Sequence, residues 1–345
     1  MAYLLLFSRS MYTHFVGVDI SKDTLDIAVV SPANMLLYER QLENKQPVVV
    51  AFFKQLARCV PGVASATSLL CCEHTGLYNR PLLEATQALA LATWVEHAAP
   101  LNAATGLRRG KTDAVDARRI AAYAVRFVER ACLWAAAHPV LAALDRLRTR
   151  RARLVGVLQV LQTPLSSSEG FWAPAEQRAE ERGCAASLKA VRADLRAVEA
   201  AIAAVVASDE ALAQQYERIT SVPGIGPVTA VEILLTTNEF QTSTDPKKYA
   251  SYAGVVPFES SSGQRKGRPQ GSHQANKRVK KLLHLAALSA VRHCQVLKAY
   301  YDRKVAAGKN KMLVLNNVRN KLVHLVFACV QQDRNDDKNY APTLV

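Results

Sequence analysis

YTHFVGVDISKDTLDIAVV, residues 12–30, is the stretch that decides the fold. It holds two apolar runs of strand length, YTHFVGVDI and TLDIAVV, and MLLYERQ follows across a further short polar turn. Runs of this length and spacing predict three strands in a meander. Working outward, SLLCCE at 68–73 reads as a fourth strand, PLLEATQALA as a crossover helix and LATWVE as a fifth strand. Strand and helix alternate after the opening meander, which makes residues 12–135 an α/β domain.

The chain has 345 residues, more than one core ordinarily holds, so two domains and a connector are expected. Half of its residues are hydrophobic and only 7% are aromatic, which favours a helix-rich α/β protein over a disordered one. A formal net charge of +15 calls for a polyanionic partner. Without an amphipathic basic helix to lie on anionic lipid, that partner reads as nucleic acid and not membrane. The cysteines (Cys59, Cys71, Cys72, Cys132, Cys184, Cys294 and Cys329) are odd in number and lack CxxC spacing, so neither a zinc site nor a disulfide framework is expected. The apolar stretch in MAYLLLFSRS is shorter than a signal-peptide core, and no later run would span a bilayer. A reducing cytoplasm is the expected location, with residues 1–11 an N-terminal extension.

From Leu144 the periodicity changes. Leu147, Leu154 and Leu161 recur every seven residues, with Leu144 and Leu158 in companion positions. Leu188, Val191, Leu195, Val198, Ile202 and Val205 alternate steps of three and four, so residues 140–215 read as two coiled-coil helices. TPLSSSEGFWAP, 163–174, is expected to interrupt them, leaving the pair to fold back as a hairpin or to join another protomer. Residues 216–330 form a third, mainly helical region, and 331–345 read as a frayed tail.

Asp19 ends an apolar strand, where an unpaired carboxylate is costly and calls for a cation. Glu73 ends SLLCCE in the same way, just before the strand-breaking HTG. Asp113 and Asp116 lie three apart at the start of a helical run, on one face and at the end that tolerates negative charge. Each acid alone reads as a turn or helix-start residue. Together, on two strands and one helix, they suit a pair of Mg²⁺ ions, with Mn²⁺ as substitute, because hard cations take oxygen ligands and paired ions stabilise phosphoryl transfer. Asp26 could face the same site, while Asp23 reads as a turn residue.

Arg108, Arg109, Lys111, Arg118 and Arg119 bracket the second acid pair and are suited to backbone phosphates, although a solvated helix face explains Arg118 and Arg119 equally well. VPGIGPVTA, 222–230, places Gly224 and Gly226 around one apolar residue ahead of a helix-starting proline. It resembles a helix-hairpin-helix element, whose amides grip phosphate without reading bases. Next comes YAGVVPFESSSGQRKGRPQG, in which serines, glycine and the cations Arg265, Lys266 and Arg268 bring a hydroxyl and positive charge together. Lys277 and Arg278 extend the basic segment.

These motifs, in this order and over nearly the whole chain, resemble the DEDD insertion-sequence transposases of the IS one-ten and IS eleven-eleven groups and the related Piv-type DNA invertases. The resemblance implies an N-terminal RuvC-like domain of RNase H fold whose DEDD carboxylates match Asp19, Glu73, Asp113 and Asp116. It implies central coiled-coil helices and a C-terminal transposase domain whose nucleophilic serine matches Ser262, with Ser260 and Ser261 as alternative registers. It further implies donor and target DNA, a bridge RNA guide, and dimers or tetramers. A plain RuvC-like nuclease and an unguided invertase are the rival readings. An actin-like sugar kinase lacks its further glycine-rich loops here, and a non-catalytic nucleic-acid-binding protein would leave the acids structural.

Overall fold

The computed structural model describes residues 12–105, 112–136, 138–168, 170–256, 261–262, 265–266 and 275–336. The chain divides into two compact units, 1–136 and 137–345. In the first, β1 (His14–Ile20), β2 (Thr24–Val30) and β3 (Leu36–Glu43) form the antiparallel meander. The strands β4 (Ser68–Glu73) and β5 (Ala92–Glu96) run parallel to β1, giving the order β3-β2-β1-β4-β5. The parallel connections pass through α1 (Gln46–Cys59) and α2 (Arg80–Ala88), and α1 was not anticipated from the sequence.

Strand alternation divides the core between the two faces of this sheet. Val16, Val18 and Ile20 of β1, with Leu70 and Cys72 of β4, pack with Val49, Phe52 and Leu56 of α1 and Leu82 of α2. Phe15, Leu69, Cys71 and Trp94 pack on the other face with Ile120, Ala121 and Ala124 of α4 (Asp113–Arg126). A short α3 (Ala98–Thr105) precedes α4.

The second unit opens with α5 (Pro139–Ser167) and α6 (Pro174–Ala207), which pack against each other as a hairpin. The interruption expected over 163–174 falls in its second half, at 168–173, because α5 runs through Pro164 to Ser167. Proline removes one N–H and crowds one carbonyl, a loss confined here to the last turn of a long helix. Helices α7 (Glu210–Ser221), α8 (Pro227–Thr237), α9 (Pro246–Tyr252), α10 (Lys277–His293), α11 (Gln295–Ala306) and α12 (Lys311–Gln331) complete the unit. Leu141, Leu144 and Val206 of the hairpin share one core with Leu212, Ile233, Leu283, Val318 and Phe327, so the hairpin base belongs to this core. The tail is also less frayed at its start than expected. Asp336 N–H donates to Ser221 Oγ at 2.7 Å and Asn335 Nδ2 to Glu217 Oε1 at 3.1 Å.

Candidate active site

In β1, Phe15 faces α4, so Gly17 and Asp19 face it too. By the same parity Leu69 and Cys71 carry Glu73 to that face of β4, and Trp94 carries Glu96 to that face of β5. Register then aligns the acids. Asp19 pairs with Asp26, Glu73 pairs with Glu96, and the residues just before Asp19 and Glu73, Val18 and Cys72, are partners. Asp26, Asp19, Glu73 and Glu96 therefore form a row across four neighbouring strands. The sequence reading had not singled out Glu96; its signal was an acid closing the apolar run LATWVE, as Glu73 closes SLLCCE.

Helix α4 is brought onto this row by Gly17. A Cβ there would lie 2.1 Å from Ala117 O and 2.3 Å from Ala121 N, so only glycine admits the helix backbone this close to the strand. Thr112 caps the helix by accepting from Val115 N–H at 3.4 Å, which places Asp113 and Asp116 in the first turn. Asp19 is half-buried, and burial, followed by the negative charges of Asp113 and Asp116, pushes its carboxyl up to about 6. The three acids thus share one electrostatic neighbourhood although Asp19 lies about a hundred residues from the others. Asp26 adds to the same effect, is buried, and accepts from Gln41 Nε2 at 3.0 Å. Asp23 is exposed in the turn, as its sequence position predicts.

A half-buried carboxyl surrounded by like charge and raised in pKa is in deficit of a cation, and the side chains that bear on it, Asp113, Asp116 and Asp26, offer hard carboxylate oxygens, which fits a divalent ion. Asp116 is instead held by Arg119 at 2.9 Å, and among the described residues no three acidic, imidazole or thiol groups converge tightly enough to hold a metal. Arg119 holds only Oδ1 of Asp116. Glu96 is held on the helix side by Tyr123, whose hydroxyl donates to Oε2 at 3.1 Å. Arg118 Nε donates to Glu39 at 2.9 Å, which makes this arginine a strap between α4 and β3 as well as a half-exposed charge.

In the second unit, Gly224 takes φ +82° in the turn between α7 and α8, and a Cβ there would lie 2.3 Å from Ala286 O. That glycine is required by packing against α10. Gly226 is open, with no atom within 4 Å of its would-be Cβ. Arg278 is not free for phosphate as the sequence suggests: its Nε lies 2.6 Å from Glu232, a buried acid that Arg148 also approaches at 3.4 Å. The ion group joins α5, α8 and α10, and its signal was a glutamate inside the apolar run VEILL. Lys277, one residue earlier, is exposed. Strand β6 (Ser261–Ser262) pairs with β7 (Arg265–Lys266), so that Ser262 opposes Arg265 in a two-stranded ribbon. Arg108, Arg109, Lys111, Ser260 and Arg268 lie outside the described residues, as do residues 1–11 and 337–345.

Two family models match the chain, a DEDD transposase model over residues 16–167 and the transposase IS116/IS110/IS902 family over residues 216–302. The chain belongs to the IS110/IS116 family of insertion-sequence transposases. The first match spans Asp19, Glu73, Asp113 and Asp116, and the second spans both hairpin glycines and the serine segment. Among curated relatives, the chain is 29% identical over 113 residues to an uncharacterized 43.6 kDa protein of insertion element IS110 from Streptomyces coelicolor. It is 27% identical over 118 residues to an uncharacterized 44.8 kDa protein of IS116 from Streptomyces clavuligerus. Those matches cover 33% and 34% of this chain but only 28% and 30% of the relatives. Among solved structures, Thermus thermophilus RuvC in complex with a Holliday junction substrate aligns at a TM-score of 0.29 and 11% identity, covering 36% of this chain and all of RuvC. A second Thermus thermophilus RuvC structure aligns at 0.26 and 14%, covering 35% of this chain and 99% of its own. Among the described residues no helix is long and apolar enough to cross a membrane.

Proposed function

We propose that this transposase cuts and rejoins DNA through a metal-dependent carboxylate site and a serine nucleophile. The observation that carries the reading is the meeting of Asp19 with Asp113 and Asp116 at the end of β1, where burial first and those two negative charges next push Asp19 up to about 6. Asp19, Asp113, Asp116 and Glu73 would hold a pair of Mg²⁺ or Mn²⁺ ions, with Glu96 and Asp26 flanking them. Divalent ions bound there supply Lewis-acid stabilisation of charge on a phosphoryl group. Asp19 and Glu73 are fixed by strand register, and Asp113 and Asp116 by the seat of α4 on Gly17, so the chain itself sets the spacing of the donors. Ser262 gives up its hydroxyl proton as its Oγ bonds to phosphorus, and one ester P–O bond to deoxyribose breaks, the leaving oxygen taking up a proton. The reverse exchange, with a hydroxyl from another strand attacking the phosphoserine, restores the serine and joins the DNA. Arg265 and Lys266, paired across the ribbon from Ser262 and Ser261, place cations in the same segment as the nucleophile.

The partners in this reading are donor and target DNA with a bridge RNA as guide, and the working form is a dimer or tetramer built through α5 and α6. Exposed Lys277 and the turn at Gly226, which has open space at its Cα, are the phosphate contacts in this reading, with Arg118 joining them once it leaves Glu39. The test mixes the full chain with element-end DNA, target DNA and candidate element RNA, then denatures the products. Wild type should yield a protein–DNA adduct and recombinant strands, and Ser262→Ala neither. Identical products from both proteins, without adduct, would leave a RuvC-like hydrolytic nuclease in its place. Omitting the RNA without loss of recombinants would replace the guided reaction by an invertase-like one.

A further inference from the structure

Arg319 on α12 is 7% exposed. Its Nη2 donates to His284 Nδ1 at 2.5 Å, its Nη1 to Asn316 Oδ1 at 3.4 Å, and its Nε is buried with no hydrogen-bond partner. No acid among the described residues forms an ion pair with it. Glu232, the buried acid of this unit, is held by Arg148 and Arg278 instead. A buried guanidinium normally has an anion, because removing an unpaired charge from water is expensive.

The neighbours of Arg319 add positive character without relieving it. Arginine is a donor only, so His284 must accept through Nδ1 and carry its proton on Nε2. Burial and the Arg319 charge both hold the His284 imidazole below its ordinary pKa, in keeping with that neutral tautomer. Lys280 lies one turn earlier on α10, and its Nζ comes within 3.7 Å of the would-be Cβ of Gly254. Asn316 Nδ2 donates to Val255 O at 2.7 Å, which ties the cluster to the backbone just ahead of the serine segment. A planar fork with spare N–H groups matches phosphate oxygens better than a lysine does.

We propose that Arg319, with the Nε2–H of His284 and with Lys280 one turn from His284 on α10, forms a phosphate site that holds a backbone phosphodiester of the DNA strand entering the serine segment. The choice of DNA rests on the strand-exchange reading above, whereas the anion site rests on the cluster alone. Arg319 is a positioning residue in this scheme, outside the carboxylate site and beyond the matched transposase region.

The full chain is melted in inorganic phosphate and in chloride at equal ionic strength, as wild type, Arg319→Met and Arg319→Lys. Phosphate stabilises folded proteins in general, so the readout is the difference: wild type should gain several degrees more in phosphate than Arg319→Met, with Arg319→Lys between them. In chloride, Arg319→Met should melt at or above wild type, because it removes a buried charge that lacks an anion. A wild-type melt indifferent to phosphate overturns the site, even if neither variant folds. So does an Arg319→Met protein that is less stable in chloride and keeps the wild-type phosphate response, which would make the arginine a packing residue. Duplex DNA affinity, measured against salt, should fall in Arg319→Met by about tenfold, with the salt slope shallower by about one. Loss of affinity for RNA of the same sequence, with DNA binding unchanged, overturns the assignment to DNA. Failure of the serine reading is distinguishable, since Ser262→Ala would then recombine normally while the Arg319-dependent phosphate shift remained.

Discussion

Replacing Gly17 with alanine tests how α4 is held over the carboxylates. The new methyl would sit 2.1 Å from Ala117 O, 2.3 Å from Ala121 N and 2.8 Å from Ala121 Cβ. Non-bonded heavy atoms settle at about 3.5–4.0 Å, so α4 has to rise from β1 by roughly 1 Å, and a gap of that size forfeits a quarter to a half of the dispersion contacts beneath it. The obstructing atoms are helix backbone and cannot rotate away. The cost should therefore lie at or above the upper end of the ~1–3 kcal/mol typical of overpacking, which for a unit of this size lowers the melting temperature by on the order of 10 °C. Because the same shift carries Asp113 and Asp116 away from Asp19, strand-transfer rate should fall by about a hundredfold in the molecules that remain folded. Gly156→Ala on α5 is the control: nothing lies within 4 Å of its would-be Cβ, and alanine is the better helix former, so its stability should hold or rise by up to ~1 kcal/mol. Circular dichroism melts and a strand-transfer assay measure both effects. If Gly17→Ala melted with wild type and recombined at the wild-type rate, the seating of α4 on β1 at Gly17 would be wrong.

Asp19 should make the metal-free protein pH-sensitive. Its folded value of about 6 exceeds the ordinary 3.8, so the native state binds the proton more tightly and stability falls as pH rises through that window. The full gap is worth ~3 kcal/mol, and solvent screening at a half-buried site brings it to ~1–2 kcal/mol. In chelator near neutral pH, Asp19→Asn should therefore melt a few degrees above wild type, with the difference shrinking toward pH 4 and Mg²⁺ stabilising wild type more; a lower-melting variant with an unchanged pH slope would refute this. Gly224→Ala should be destabilised by ~2 kcal/mol or more through positive φ and contact with α10, whereas Gly226→Ala should keep its melt and lose only DNA affinity. Equal melts for the two variants in scanning calorimetry would contradict the packing described. Arg278→Met strips a buried acid of its nearer partner and should cost ~3 kcal/mol or more, while Lys277→Met should leave stability unchanged and weaken DNA binding. Urea titration of both proteins checks the contrast, and equal midpoints would place Arg278 on the surface after all.

Much of this architecture was legible in the order of residues alone. The apolar runs at 14–20, 24–30, 68–73 and 92–96 became strands because their side chains repeat every two residues, and α4 followed from the helical run that opens with Asp113 and Asp116. The carboxyl termini of β1 and β4, and the i, i+3 spacing of Asp113 and Asp116, are local properties, so Asp19, Glu73, Asp113 and Asp116 could be picked out without coordinates. Helix α1 escaped because QPVVVAFFKQLARC opens with a run of valines that local propensity assigns poorly. The passage of α5 through Pro164 escaped for a related reason: proline breaks helices on average, and its position in the last turn lowers that cost.

What tertiary structure alone decided is which distant residues become neighbours. Strand order and register set Glu96 and Asp26 in line with Asp19 and Glu73, and no spacing along the chain encodes that alignment. The same holds for Arg278, which is one more cation of a basic segment until folding delivers Glu232 and Arg148 to it. Periodicity reports the face on which a side chain stands, because each turn or pleat fixes the direction of Cβ. The identity of the group across from it depends on packing between elements far apart in sequence, and close approaches such as Gly17 against Ala117 settle it only when the core forms.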